Sequence, residues 1–456
     1  MRSFRSSWSA LTVAGLVVAC ATAAVDADEV DRLREQVETL TGHVVTLSQQ
    51  VQDLTAQTTD DWLTETRAEE IRGIVQDVLA DADTRTSLLQ DGVTAGYDRG
   101  FYIASPDGNF RLNLKGQIQF RFIYSHQNDG PVDSDRYGFE NTRTRFGFGG
   151  HIVDPSWKYF IWAGGTGVGS FILLDAWIEK QFDNGLSIRA GQFKLPTWQE
   201  WTVFETRQQF VERSVLDARY AQVYAQGVLA RYTADAFRLH FAFSDGLRTL
   251  GTPWSVGPDV TRPPIPYQMS NEFALTGRGE FKFAGDWSQY GDFTSFRGDD
   301  PVYVVGASVH YQVGDYGTDD DEIEILQWTV DGSFKFGGAN VYAAVIGTSV
   351  KDQTVDRDEL GFLIQGGYFV ADDWELMARY AYGDNDGAGA FEDRISVLTV
   401  GVNYFVARHA LKWTTDVGYA FMPIDPSWEE ERRGYRVDDP DESGQVVVRT
   451  QVQLLF

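Results

Sequence analysis

From about residue 101 onward the chain alternates polar and apolar residues in short stretches, and ahead of them it repeats every seven. The final stretch, residues 445–456, carries Val446, Val448, Thr450, Val452, Leu454 and Phe456 on one face. Gln445, Val447, Arg449, Gln451, Gln453 and Leu455 fall on the other. A period of two predicts a strand with one apolar face and one wet face. Residues 111–124 repeat the pattern, with Leu112, Leu114, Ile118, Phe120, Phe122 and Tyr124 opposite Arg111, Asn113, Lys115, Gln117, Gln119 and Arg121. So do residues 139–152, 237–243, 374–382 and 411–421. Further strands are predicted over residues 157–164, 171–182, 186–192, 225–234, 273–283, 302–312, 323–336, 339–348, 360–369 and 395–405.

The count is about sixteen. The fold class predicted is an all-β transmembrane barrel of about sixteen antiparallel strands, in which half of each strand faces lipid and half a polar lumen. A last strand ending on Phe456, with no polar tail, resembles the closing strand of outer-membrane barrels, and Phe456 resembles the signal read by their insertion machinery. A soluble sandwich can also end on an alternating strand, so this feature does not stand alone. Turns such as Asp183-Asn184-Gly185 and Gly337-Gly338 suit the tight end, and the long stretches 246–270 and 423–443 suit outer loops.

Ahead of the strands, Val30, Leu33, Val37, Leu40, Val44, Leu47, Val51 and Leu54 are spaced three, four, three, four. Val at a and Leu at d over residues 28–58 predicts an α-helical coiled coil, compatible with two strands and not excluding three. The alternative is an amphipathic helix packed on its own protein. Residues 59–100 read as a helical linker, with Ile71, Ile74, Val75 and Val78 on one side, and the barrel occupies 101–456. Residues 1–23 read as an export signal: Arg2 and Arg5, an apolar run over 10–19, then Ala21-Thr22-Ala23. Cys20, the single cysteine, is either lipidated or leaves with the signal.

Composition alters the picture in two places. A net charge of -27 excludes nucleic acid as a partner class, and the acids cluster in runs such as 319–322 and 438–442, which read as solvated loops. No zinc helix, phosphate-binding loop, nucleophile elbow or cysteine pair is present, so no enzyme, metal site or cofactor is predicted. Abundant glycine and aromatic residues suit many strands with aromatic belts.

Over residues 114–217 several ordered pieces resemble the phosphate-selective porin O and P family. They are Leu114-Lys115-Gly116-Gln117, Asn141 to Phe148 (NTRTRFGF), Trp157-Lys158-Tyr159, Leu174 to Glu179 (LDAWIE), Arg189 to Pro196 (RAGQFKLP) and Glu212-Arg213-Ser214. The resemblance implies a sixteen-stranded trimeric channel in which an inward loop and basic lumen residues favour anions. The chain departs from the family at Gln117, where members often carry Arg, and in its longer coiled coil.

Strand parity places Arg111, Lys115, Arg121, Arg143, Arg145 and Arg189 in the lumen, with Asp175 and Glu179 on one candidate lumen face. Residues 194–220 are the candidate constriction loop, mixing Lys194, Arg207, Arg213 and Arg219 with Trp198, Trp201 and Phe204. These bases either bind anions or pair with Glu200, Glu205, Glu212 and Asp217 and hold the loop to the wall. The function expected is an outer-membrane porin passing small hydrophilic solutes with a preference for anions such as phosphate. The alternative is a barrel that anchors the membrane, tethered to the cell wall or a partner by a periplasmic coiled coil. Lipid, small anionic solutes and two further copies of the chain are the partners implied.

Overall fold

The computed structural model describes residues 38–39, 41–42, 44–49, 92–98, 100–128, 135–166, 171–221, 224–246, 270–315, 322–351, 356–428, 433–440 and 442–456. Two compact units divide the chain at residues 86 and 87. In the first, every described residue is helical, and Val44 and Leu47 of the heptad seam are exposed. The rest of the predicted coiled coil, the export signal and most of the linker lie outside the described residues. No described helix is long and apolar enough to cross a membrane, which says nothing of strands.

The second unit opens with a hairpin, β1 (Thr94–Tyr97) and β2 (Phe101–Ala104), followed by β3 (Arg111–His126) and β4 (Asp135–Ile152). Then come β5 (Asp154–Thr166), β6 (Phe171–Gln181), β7 (Leu186–Lys194), β8 (Tyr224–Thr233), β9 (Phe237–Ser244) and β10 (Ser270–Ala284). The series continues with β11 (Val302–Asp315), β12 (Glu322–Lys335), β13 (Ala339–Lys351) and β14 (Asp356–Ala371). It finishes with β15 (Trp374–Asp384), β16 (Arg394–Ala407), β17 (Leu411–Ala420) and β18 (Val446–Leu455). Each strand from β3 onward pairs antiparallel with the next, and β18 pairs with β3 to close sixteen strands into a barrel. Closure leaves these strands no edge.

Outward positions are apolar and exposed: Ile118 and Phe120, Leu239, Phe241 and Phe243, Val452 and Leu454. Their neighbours Gln117, Gln119, Arg121, Arg449, Gln451 and Gln453 point inward and are buried. The alternation thus divides lipid face from lumen as the sequence predicts. The seam is finished by the last residue. Gly116 N–H donates to the Phe456 carbonyl at 2.7 Å, and Phe456 N–H donates back to Gly116 at 3.1 Å. A Cβ on Gly116 would sit 2.2 Å from the Phe456 ring, so only glycine leaves that ring its place. At the tight end Gly185, with φ 87°, closes the β6–β7 turn in the left-handed region that glycine adopts without strain.

Three differences from the sequence reading follow. Thr94–Tyr97, read as the end of a helical linker, is a strand: β2 pairs with the first residues of β3, below the point where β18 stops, and β1 pairs with β2. The inward positions of β13–β18 are not uniformly polar. Tyr342, Ala344, Ile346, Leu363, Ala381, Ile395, Val397, Ala420 and Val447 belong to one buried apolar cluster inside the barrel. Finally, residues 421–428 and 433–440 do not stand off as a solvated loop. Ile424, Trp428 and Tyr435 are buried, and Asp438, also buried, accepts Ile424 N–H at 2.8 Å and Gln445 Nε2 at 2.9 Å.

Candidate functional site

The inside of the barrel is organised by residues 195–221, which leave β7 and fold inward. The segment contains two short helices, α1 (Gln199–Thr202) and α2 (Val215–Tyr220), and a 3₁₀ turn at Glu205–Arg207. Leu195, Trp198, Val203, Phe210, Val211, Val215 and Leu216 are all buried. A buried loop must satisfy its backbone, because unpaired N–H and C=O groups are costly away from water. Here the wall supplies the partners. Val211 N–H donates to Asp416 at 2.9 Å, Lys412 donates to the Gln208 carbonyl at 2.7 Å and Asn403 to Gln209 at 3.0 Å. Arg379 donates to the Glu212 carbonyl at 2.9 Å, Gln453 to Thr206 at 3.0 Å and Arg278 to Thr197 at 3.1 Å. These donors sit on β10, β15, β16, β17 and β18, so the loop spans the lumen from its root on β7 to the far wall.

Carboxylates fix its near side. Glu212 bridges Arg121 at 2.5 Å and Arg143 at 2.6 Å. Arg121 also holds Glu140 at 2.7 Å, and Arg143 donates to Gln119 at 3.0 Å. Arg145 pairs with Glu205 at 2.7 Å. Burial alone would raise the Glu212 carboxyl, but Arg143 and Arg121 outweigh it and hold the group well below the usual carboxylate range. Glu205 is held low in the same way by Arg145, Lys194 and Arg213. Glu200 goes the other way. It is fully buried, accepts Ser214 N–H and the Ser214 hydroxyl at 2.7 Å each, and is raised by burial and by the Asp217 charge.

The remaining predicted residues fall as follows. Arg111 reaches Asp98 at 3.2 Å and lies over the Tyr102 ring. Arg189 pairs with Glu179 at 2.7 Å and stacks 3.7 Å from the Trp177 ring centre. Asp175 and Glu179 are both buried. Lys194 donates to the Trp201 carbonyl at 3.1 Å over the Trp201 ring, and Arg213 donates to Glu200 and Val203 carbonyls at 2.9 and 2.7 Å. Arg219 grips Glu359 through two nitrogens. Lys115 and Arg207 are the exposed members of the set.

A second inward segment, residues 285–301, joins β10 to β11 at the tight-turn end, and the sequence reading does not single it out. The Asp286 carboxylate caps α3 (Trp287–Tyr290) by accepting Ser288 N–H, the Asp286 N–H donates in return to the Gln289 side-chain oxygen, and Phe293 and Phe296 are buried beyond it. Phe293 N–H donates to the Arg207 carbonyl at 3.3 Å, and Gln199 donates to the Tyr290 carbonyl at 2.8 Å, so the two inward segments touch. Asp292 binds His409 at 2.8 Å and lies 3.5 Å from Arg207. Burial pushes Asp292 up, but His409, Lys335 and Arg207 bring it down to about 2. A cavity of about 290 Å³ opens here, lined among others by Arg207, Asp292, Asp299, Lys335 and Arg408. The Asp286–Gln289 capping pattern was the sequence signal available for this segment. Among the described residues no group of His, Cys, Asp and Glu is arranged to hold a metal.

No protein-family model matches the chain. A curated relative, an uncharacterized protein of Aquifex aeolicus, is 22% identical over 322 residues, covering 67% of this chain and 69% of its own. Among solved structures the barrel is similar to the anion-selective porin of Comamonas acidovorans, with TM-score 0.52 and 13% identity over 76% of this chain and 99% of that one. It is similar to OmpF of Salmonella typhi in complex with daunomycin, with TM-score 0.53 and 13% identity over 80% and 100%. OmpT of Vibrio cholerae, solved in a trimer form, gives TM-score 0.50 and 13% identity over 75% and 98%. At these identities the likeness is one of fold: a porin-like outer-membrane barrel of sixteen strands.

Proposed function

We propose that this protein is an outer-membrane porin, a passive channel for small hydrophilic solutes with a preference for anions such as phosphate. The observation that carries the reading is the inward loop pinned across a closed barrel, which narrows the lumen. Along β3–β9 the inward charges are mainly basic: Lys115, Arg121, Arg143, Arg145, Lys158, Arg189, Arg231 and Arg238, against Glu140, Asp175 and Glu179, with Glu205 and Glu212 of the loop matching part of the excess. Fixed charges at a narrow point set ion selectivity, and the net acidity of the chain matters little there because distant loops are screened within about 8–10 Å. The resemblance of residues 114–217 to the phosphate-selective porin O and P family supports the same sign. The tight-turn end faces the periplasm in such barrels, and the coiled coil would project there.

Purified protein in a planar bilayer tests the channel. Stepwise conductance is expected, with a reversal potential of anion-selective sign under a salt gradient. Folded barrels that give no steps would remove the reading. The exposed seam residues Val44 and Leu47 favour a companion proposal, in which the helices of three copies join in a parallel bundle. Barrel packing would raise the effective concentration of helices whose seam is only about four heptads long. A tether to the cell wall is the alternative use of the same helix.

A further inference from the structure

We infer that the β1–β2 hairpin docks on lipid, laying one apolar face against the periplasmic leaflet at the boundary between phospholipid headgroups and acyl chains. This contact depends on the barrel standing in a membrane and not on what passes through it. Its origin is the seam. β18 ends at Leu455, opposite Gln117, and Phe456 takes Gly116. On that side residues 111–115 of β3 would be left with an open edge. β2 fills the step, with Tyr102, Ile103 and Ala104 opposite Asn113, Leu112 and Arg111, and β1 pairs with β2 in turn. Unpaired backbone is not tolerated against lipid, so a strand that runs past the seam at membrane level needs such cover.

The two faces of the hairpin differ. One is closed by its own contacts: the Tyr102 ring lies against Gly96, Arg111 stands 4.1 Å from that ring's centre, and Asp98 binds Arg111 at 3.2 Å. The other face carries Tyr97, Phe101 and Ile103, which are 70%, 54% and 40% exposed. Tyr97 and Phe101 are opposite one another on the two strands, with their rings edge to face at 5.3 Å. Three large apolar side chains thus share one face of a two-stranded element and have no protein over them.

Strand register identifies what covers that face. Ile103 is opposite Leu112, Leu112 opposite Gly150, Gly150 opposite Tyr159 and Tyr159 opposite Ile178. Directly opposed residues stand on the same side of a sheet, and on this side Leu114, Ile161 and Ile178 belong to the exposed outer wall of the barrel. The hairpin face is therefore the lipid face carried past the seam. Phe101 is one rung on from Tyr102 and so level with Leu114; a Cβ on Gly100 would stand 3.6 Å from the Leu114 carbonyl. The aromatic pair is thus at the membrane-ward end of the hairpin, two rungs from Gly116 and the Phe456 ring that covers it. Aromatic side chains collect at this level of a bilayer, where an apolar ring and a polar tip such as the Tyr97 hydroxyl are both accommodated.

Nitroxide accessibility in vesicles tests the contact. Tyr97→Cys and Phe101→Cys, each in a full-length Cys20→Ser chain, are spin-labelled and reconstituted into vesicles of phosphatidylethanolamine and phosphatidylglycerol. Leu239→Cys on the outer wall is the lipid reference, and Asp235→Cys, at the fully exposed β8–β9 turn, is the water reference. Oxygen concentrates in lipid and a neutral nickel chelate in water, so the ratio of their collision rates reports which medium surrounds each label. The ratios at positions 97 and 101 should lie closer to the Leu239 reference than to the Asp235 reference. Ratios matching Asp235 would overturn the docking, because the face would then be in water. Labels that are immobile and shielded from both reagents would overturn it too, because protein would then cover the face, either a second copy or the chain ahead of the hairpin. Only samples that run as the heat-modifiable folded band are read, and Ile103→Cys replaces either variant that fails to fold.

Discussion

Glu212→Gln attacks the strongest attachment between the inward loop and the near wall. In the native protein the carboxylate sits between two buried guanidinium groups at 2.5 and 2.6 Å. Replacing it with an amide leaves Arg121 with Glu140 but leaves Arg143 with Gln119 alone. Removing one partner of a buried pair costs about 3–5 kcal/mol. The amide oxygen can still accept one bond and Arg121 keeps its second acid, so about 2–3 kcal/mol is expected here. For a chain of this size that corresponds to a thermal transition lower by about 2–6 °C, read in detergent by circular dichroism. The loop should also loosen at its attached end, and single-channel records should show flicker absent from the parent. The pH dependence has a definite sign. Because the folded-state carboxyl lies well below its ordinary value of 4.5, the anchor contributes fully at neutral pH and weakens as pH falls below about 4.5. The variant should therefore converge with the parent in strong acid. If the two melt within about 1 °C of each other at pH 7.5 and their current traces match, Glu212 is not what holds the loop.

Glu200→Gln should cost less than Glu212→Gln in the same melting assay. Burial and Asp217 raise the Glu200 carboxyl, so its charged form is penalised at neutral pH and acidification relieves that penalty; an equal or larger loss would contradict this. Gly116→Val should push the Phe456 ring out of its slot and strain the closing backbone pair, costing about 1–2 kcal/mol, and the heat-modifiable folded band on gels should diminish. Asp at both Leu40 and Leu47 should dissolve a helical bundle and leave the barrel folded. A peptide of residues 28–58 that sediments as a monomer even at high concentration would count against association.

The sixteen barrel strands were legible because lipid on one side and water or polar groups on the other impose a period of two on every strand. Residues 237–243, for example, coincide with Phe237–Ser244. Strand ends were less so: β4 starts at Asp135, because the ladder continues past the apolar belt into polar residues that carry no alternation signal. The hairpin of β1 and β2 is too short for a period to show. The dry inner surface of β13–β17 did leave a trace. Residues 341–346 are apolar on both faces, as strands buried on both sides are. Many ion pairs of the lumen could not be read in advance, since they link residues far apart in the chain, as Arg121 with Glu212 and Arg219 with Glu359 do. Parity put such bases inside; only the fold shows which acid each one meets.

The apolar cluster inside the barrel has a consequence for engineering. Widening a porin by shortening its inward loop assumes that the wall behind the loop is ready for water. Here that wall is Tyr342, Ile346, Leu363, Ile395 and Val397, matched to Val215, Leu216, Tyr220 and Trp428. Cutting the loop away would uncover an oily interior and forfeit the contacts that keep the barrel round, so the truncated protein should misassemble instead of leaking larger solutes.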